Sequence, residues 1–137
     1  MILVDTNVWS EAFRSSPDAN VRQWAEDNTA RLWLSSVVIG ELLSGAVLLA
    51  GGRRKQALIA GYDELIGQYA SRIASFDLNA ARRYADVLAH QVRAGRNPGT
   101  ADTQIAATAL VHGMALATRN VRHFEGLGLE LIDPWTA

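Results

Sequence analysis

The sequence predicts an α/β fold in which a mostly parallel sheet of four to five strands is flanked by helices. Short apolar runs, beginning with Ile2-Leu3-Val4, are typical of strands buried on both faces of a parallel sheet. Longer segments with apolar residues at helical spacing separate these runs, and strands that alternate with helices build parallel sheets. Ligands of such folds bind beyond the carboxyl ends of the strands. We therefore look for chemistry at that edge.

The strands follow from short apolar runs, and breakers bound several of them. They are predicted at residues 2–4, 31–35, 73–76, 115–118 and 129–132. No internal repeat or low-complexity linker interrupts the order.

The helices follow from apolar residues at helical spacing and from end signals. They are predicted at residues 6–13, 17–28, 37–50, 53–71, 79–94 and 100–112, with a short turn or helix at 121–124. In the third helix Val38, Leu42, Val47 and Leu49 are among the apolar positions, and Gly51-Gly52 ends it. Thr100 or Asp102 is expected to cap the sixth helix.

Length and composition narrow the class of protein. The chain has 137 residues, 13 basic and 14 acidic side chains, a formal charge of −1 and no cysteine. This length predicts one domain over residues 1–137. The absence of cysteine excludes disulfides, thiolate metal sites and a cysteine nucleophile, and the charge balance argues against a polybasic DNA coat. With no leader-like start and no membrane-length apolar run, we expect a cytoplasmic protein that has no membrane partner.

Three acidic residues stand near the predicted strand ends. Asp5 follows the first strand, Glu41 lies beside apolar neighbours in the helix after the second, and Asp102 begins the sixth helix. Taken singly, Asp5 and Asp102 read as helix caps, and Glu41 as a partly exposed helical residue. Taken together within ~5 Å, each pair would repel by about 3 kcal/mol at an effective dielectric of ~20. Such a cluster needs protons or a cation, and an oxygen-only ligand set favours Mg²⁺ or Mn²⁺ over Zn²⁺.

A metal at this edge suits phosphodiester cleavage, because it lowers the pKa of a bound water and stabilises oxygens that gain charge. Polar residues beside the acids suit a supporting role, although each is also a common cap or turn residue: Thr6, Asn7, Ser36, Thr118 and Asn120.

Several other residues are weaker candidates. Glu11 lies one helical turn past Asn7 and could lean toward the site. The histidines sit singly, without the spacing of metal ligands, and are not predicted to act there. Arginines near the site are candidates for substrate contacts: Arg93, Arg96 and Arg119.

Four segments, taken in order, resemble the motifs of a PIN domain. They are Val4-Asp5-Thr6-Asn7-Val8, Ile39-Gly40-Glu41-Leu42, Ala101-Asp102 leading into Ile105-Ala106-Ala107-Thr108-Ala109, and Ala117-Thr118-Arg119-Asn120-Val121. The closing Phe124-Glu125-Gly126 and Asp133-Pro134-Trp135 are similar to the VapC/FitB-like toxins of bacterial type II toxin–antitoxin pairs. The resemblance spans essentially the whole chain.

The resemblance implies an endoribonuclease dependent on Mg²⁺ or Mn²⁺, with Asp5, Glu41 and Asp102 as catalytic and metal-binding residues. The fourth acidic position of the family is often Asp and here is Asn120, which implies an outer or weak ligand. The resemblance also implies a cognate antitoxin that inhibits the enzyme. It further implies a homodimer that assembles with the antitoxin, and DNA contact only through that antitoxin. Arg93, Arg96 and Arg119 then become candidates for RNA or antitoxin contacts.

Other functions compete with this one. A catalytically weak PIN-like module would act through an antitoxin complex on operator DNA. A DNA nuclease or a phosphatase would use similar carboxylates, but the haloacid-dehalogenase pattern needs a second Asp where Asn7 stands. A response-regulator receiver domain would need adjacent acids at the first strand and a late Lys.

Overall fold

Five short strands form the centre of the fold, which the computed structural model describes over residues 1–137. They are β1 (Ile2–Val4), β2 (Leu32–Ser35), β3 (Ile73–Ala74), β4 (Ala115–Ala117) and β5 (Leu131–Ile132). All neighbours in the sheet run parallel, in the order β3-β2-β1-β4-β5. The predicted fold class is confirmed.

Strand β1 is the central strand, and its three residues are fully buried. It pairs with β2 on one side through Ile2 and Leu32, and with β4 on the other through Val4 and Ala117. The backbone N–H of Asp5 continues this pairing by donating to the carbonyl oxygen of Ala117 at 2.9 Å. The chain adds β2 and β3 on one side of β1 and later β4 and β5 on the other side. Ligands of open α/β sheets bind where the strand order reverses in this way.

Six helices surround the sheet. They are α1 (Thr6–Ala12), α2 (Ala19–Asp27), α3 (Ser36–Val47), α4 (Arg53–Gln68), α5 (Leu78–Arg93) and α6 (Thr100–His112), with short 3₁₀ helices at Thr29–Arg31 and Val121–Phe124. Side chains that accept backbone N–H groups fix several helix starts: Asp18 for α2, Ser35 for α3 and Asp77 for α5. None of the helices is both long enough and apolar enough to span a membrane.

Helix α6 begins differently from the prediction. Its N-cap is Gly99, and no side chain caps it. The expected cap by Thr100 or Asp102 is therefore wrong, because both residues already lie in the first turn. Asp102 instead meets the positive end of the helix dipole with its carboxylate left free for other contacts.

The end of α3 also differs from the prediction. Its buried residues Val38, Leu42 and Ala46 repeat every fourth position, and the helix stops at Val47. Val47 and Leu49 are 55% and 41% exposed, so the prediction that they belong to the apolar face is wrong. Val47 follows Ala46 and lies off the line of every fourth residue that faces the core, and Leu49 lies beyond the end of the helix.

Candidate active site

Asp5 is the best-anchored acid at the carboxyl edge of the sheet. It follows β1 directly, serves as the N-cap of α1 and is 3% exposed. Its Oδ1 accepts the backbone N–H of Thr6 at 2.8 Å. Its Oδ2 accepts the Thr118 hydroxyl at 2.7 Å and the Asn7 side-chain amide at 3.2 Å. The capping interpretation is thus correct, but it accounts for only one of the two carboxylate oxygens.

The electrostatic surroundings of Asp5 are unfavourable to its charge. Burial raises the pKa of Asp5 above its ordinary value, and the negative charges of Asp102 and Glu41 raise it further. The hydrogen bonds from Thr118 and Thr6 lower it. The ion pairs of the structure join Arg14 to Glu11 and His123 to Asp102, so the buried Asp5 carboxylate has no cationic side chain as a partner.

Glu41 reaches the same edge from the second turn of α3. Its Oε1 accepts the Thr6 hydroxyl at 2.5 Å, so Thr6 links Glu41 to Asp5. Glu41 is exposed, in agreement with the interpretation of a partly exposed helical residue rather than with a carboxylate buried among apolar neighbours. Its face of α3 turns away from the buried line of Val38 and Leu42.

Asp102 approaches from the start of α6 and is 35% exposed. Its Oδ2 lies 3.5 Å from His123 Nδ1. No partner could be predicted for any histidine from the sequence. The only available signal was that His123 follows the Thr118–Asn120 motif in a short 3₁₀ helix.

The three acids share one edge but do not form a tight cluster. No three His, Cys, Asp or Glu side chains lie close enough together to hold a metal ion as they stand. Thr6 bridges two of the acids, and Asp102 is coupled to Asp5 through charge. A cation here would draw on these carboxylates together with water.

The polar residues of the first and fourth motifs form a connected network. The Thr118 hydroxyl also accepts the backbone N–H of Asn120 at 3.0 Å and lies 3.5 Å from Asn7 Nδ2. The Asn7 side-chain oxygen accepts the backbone N–H of Arg119 at 3.2 Å. Asn120 therefore contributes its backbone N–H to the network, and the residue as a whole is exposed. Ser36 lies outside it and accepts the backbone N–H of Phe76.

The remaining candidates are engaged elsewhere. The Arg119 guanidinium lies 4.7 Å from the centre of the Trp135 ring. Arg96 Nη1 donates to Gln91 Oε1 at 2.9 Å and to the Glu125 carbonyl at 2.6 Å. Arg93 is exposed at the end of α5.

Glu11 does not reach the site. Its carboxylate accepts Arg14 Nη1 at 3.1 Å and the backbone N–H of Asp18 at 2.9 Å. It therefore closes the loop between α1 and α2, and this weaker candidate is not part of the site.

The donor set suits a hard divalent cation. The side chains that hydrogen-bond to Asp5 or interact with its charge offer hydroxyl, amide or carboxylate groups, and Mg²⁺ and Mn²⁺ prefer carboxylate, carbonyl and water oxygens. The buried Asp5 carboxylate lacks a counter-charge, which such a cation would supply. The residues present thus fit the ion.

The fold and the site together describe one class of protein: a single parallel α/β sheet with three carboxylates at the carboxyl edge of its strands. The family model described as PIN domain matches residues 2–127. This chain belongs to the PIN domain family.

Individual relatives cover almost the full chain. It is 40% identical over 139 residues to the plasmid stability protein StbB of Pseudomonas syringae pv. tomato, with 100% of both chains covered. It is also 40% identical over 139 residues to VapC ribonuclease Y4jK of Sinorhizobium fredii, with 98% of both covered. Toxin FitB of Neisseria gonorrhoeae is 34% identical over 98% of this chain and 99% of its own. The crystal structure of FitAcB from that organism superposes with a TM-score of 0.92 at 33% identity, over 100% of both chains.

Proposed function

We propose that this protein is an endoribonuclease toxin of a toxin–antitoxin pair that cleaves RNA phosphodiester bonds with the help of Mg²⁺ or Mn²⁺. The observation that carries the proposal is the buried Asp5 carboxylate, which faces two further acids and no cationic side chain. Membership of the PIN domain family and similarity to a protein named VapC ribonuclease support the choice of RNA. In this proposal residues 1–137 act as one nuclease domain.

The proposed metal ligands are Asp5, Glu41 and Asp102. When bound, the cation supplies Lewis acidity, which makes water a better nucleophile at neutral pH and offsets negative charge on the phosphate. The Thr6 hydroxyl holds Glu41 in place, and the Thr118 hydroxyl holds Asp5. Asn7 is an outer or weak ligand, because its side-chain amide is already hydrogen-bonded within the network. Asn120 is one because its side chain offers an uncharged amide oxygen where the family often has Asp.

The chain's own groups orient the site and tune its charge. The Thr118 hydroxyl favours the ionised form of Asp5 against the opposing effect of burial. The first turn of α6 places Asp102 where the helix dipole favours a negative charge. Arg119 and Arg93 are proposed phosphate or antitoxin contacts, and Arg96 is one through the guanidinium nitrogens not bonded to Gln91 and Glu125.

We infer that a cognate antitoxin binds this chain and that the toxin forms a homodimer within a larger assembly. DNA is contacted only through the antitoxin in this proposal. Similarity to a protein named toxin FitB, and to the structure of FitAcB, supports a partner of this kind.

The proposal is tested by incubating the purified protein with structured RNA, with Mg²⁺, with Mn²⁺ and with EDTA. Cleavage is expected only with a divalent ion. Asp5→Ala and Asp102→Ala should abolish both cleavage and growth arrest on expression, whereas Asp63→Ala, on the exposed face of α4, should retain both. Undiminished toxicity in both site variants would refute the proposal.

A second candidate is a catalytically weak PIN-like module that acts through the antitoxin complex on operator DNA. It is favoured by the absence of a preformed group of three metal-binding side chains and by Asn120 in place of an acid. Calorimetric titration with Mn²⁺ separates the two candidates. If the protein binds no Mn²⁺ and cleaves no RNA, the result supports the catalytically weak PIN-like module over the nuclease.

A further inference from the structure

A cavity of about 330 Å³ opens beside Asp102, between the second half of α5, the loop before α6 and the 3₁₀ helix Val121–Phe124. We call it the Asp102 cleft and define it by six of its lining residues: Val87, Gln91, Asn97, Asp102, Arg122 and Leu127. Because Asp102 lines it, any molecule in the cleft lies next to a proposed metal ligand. The cavity is of the size that pockets for small molecules have.

Hydrogen bonds connect the residues that form one wall of the cleft. Gln91 is only 3% exposed, and its Nε2 donates to the His123 carbonyl oxygen at 2.9 Å. Its Oε1 accepts Arg96 Nη1, which also binds the Glu125 carbonyl oxygen. One buried amide thus ties α5 to the loop before α6 and to the segment around residue 123. This network holds the cleft open with defined walls.

The chemistry of the lining matches a nucleotide. Pro98 and Leu127 are half-buried and offer apolar surface against which a base can pack, with the buried Val87 and Phe124 behind them. Asn97 is exposed, and its side chain makes no hydrogen bond within the protein, so its amide is free to pair with a base edge. Arg122 is exposed and supplies positive charge for a phosphate.

The other side of Asp102 has a different character. There an open groove is lined by Ser36, Val37, Gly40, Glu41, Ser44, Ala101 and Gln104, which include no basic side chain. Of these two surfaces, only the Asp102 cleft would therefore offer positive charge to an RNA strand that crosses the carboxylates.

We propose that the Asp102 cleft binds the base and phosphate of one RNA nucleotide next to the cleaved bond, so that base recognition by this enzyme is one-sided. The proposal rests on the proposed function for its substrate class. Its test measures nucleotide binding in the absence of catalysis, so that the cleft proposal and the proposed function can fail separately.

The test follows amide shifts of ¹⁵N-labelled protein by NMR during titration with AMP, CMP, GMP, UMP and inorganic phosphate, all in EDTA. At least one nucleotide should give saturable shifts confined to residues of the cleft, with a dissociation constant on the order of 1 mM. Inorganic phosphate should bind at least about tenfold more weakly, because it lacks the base. Equal binding of phosphate and nucleotides would overturn the proposal, as would the absence of shifts in the cleft.

Two variants and a control assign the site. Leu127→Trp fills the cleft and should abolish the shifts. Arg122→Glu, at an exposed residue that folding does not depend on, should weaken nucleotide binding on the order of tenfold. The control Arg82→Glu changes an exposed arginine near the start of α5, the helix whose second half lines the cleft. Arg82 lies outside the cleft, so this variant should leave binding unchanged. If Arg122→Glu and Arg82→Glu behave alike, the proposal is wrong.

Cleavage mapping then tests the one-sidedness. On a random-sequence RNA pool with Mn²⁺, the wild type should show base preference at one neighbouring position, and Leu127→Trp should lose that preference. Equal preference on both sides of the cleaved bond would overturn the one-sided assignment. Loss of antitoxin binding in Leu127→Trp, with no nucleotide bound by the wild type, would assign the cleft to the protein partner instead.

Discussion

The Thr118 hydroxyl donates a hydrogen bond of 2.7 Å to Asp5 Oδ2, although 113 positions of sequence separate the two residues. Thr118 follows β4 and Asp5 follows β1, and these strands are neighbours in the sheet. Both residues are buried. The contact therefore couples the first motif of the chain to the fourth.

Thr118→Val should leave the fold intact and reduce both Mn²⁺ affinity and RNA cleavage by about 10- to 100-fold, the usual effect of losing a hydrogen bond to a metal ligand. The bond lowers the pKa of Asp5, so the variant should also need a higher pH for full activity. Isothermal titration and a pH–rate profile measure these effects. Thr108→Val is the matched control, because Thr108 is equally buried and its hydroxyl donates only to the Gln104 carbonyl within α6. Equal loss in both variants would contradict the role given to Thr118.

Divalent ions should stabilise the protein through Asp5. With Mn²⁺ at 100 times its dissociation constant, mass action adds about 2.7 kcal/mol to the free energy of unfolding. Thermal melts with Mn²⁺ and with EDTA should differ by several degrees in the wild type and in Asp63→Asn, and not in Asp5→Asn. A full shift in Asp5→Asn would place the ion elsewhere.

Glu11 should make stability depend on pH in the acid range. The N–H of Asp18 and the Arg14 guanidinium hold the pKa of Glu11 below its ordinary value. The resulting stability is fully present above the ordinary pKa of a glutamate and is lost as pH falls through the lowered value. Glu11→Gln should therefore lower Tm at neutral pH, and the difference should vanish in strong acid. Glu64→Gln, exposed on α4, should show no such trend; a Tm difference for Glu11→Gln that is the same at every pH would argue against the ionic contribution.

Two glycines of α4 should respond in opposite directions to alanine. A Cβ at Gly61 would lie 2.7 Å from Phe13 Cε1, and the Phe13 ring packs edge-on against Tyr62. Gly61→Ala should cost about 1–3 kcal/mol of unfolding free energy through overpacking. A Cβ at Gly67 meets nothing within 4 Å, so Gly67→Ala should stabilise the helix by up to about 1 kcal/mol. Urea denaturation of both variants decides this, and the same sign for both would refute it.

The mostly parallel sheet and the approximate positions of its helices could be predicted, because apolar periodicity is a property of each segment and strands that alternate with helices pair in parallel. The order of the strands in the sheet was not predicted. Helix ends were predicted less well: α3 was expected to run to residue 50 but ends at Val47, one residue after its last buried position, Ala46. Asp5, Glu41 and Asp102 could be singled out as candidates because each stands near the end of a strand or the start of a helix. The sequence left open whether Glu41 is exposed, and it could not show that His123 lies beside Asp102, since both depend on how helices pack in three dimensions.

The order of strands in the sheet also determines when the site can exist during synthesis. Strand β1 is made first, yet its partner β4 and Thr118 come from the last quarter of the chain. A chain interrupted before residue 115 has β1 as an open edge and leaves Asp5 without its buried hydroxyl partner. A nascent or truncated product that ends before this point therefore lacks the assembled acidic centre, which can form only after Thr118 has been made.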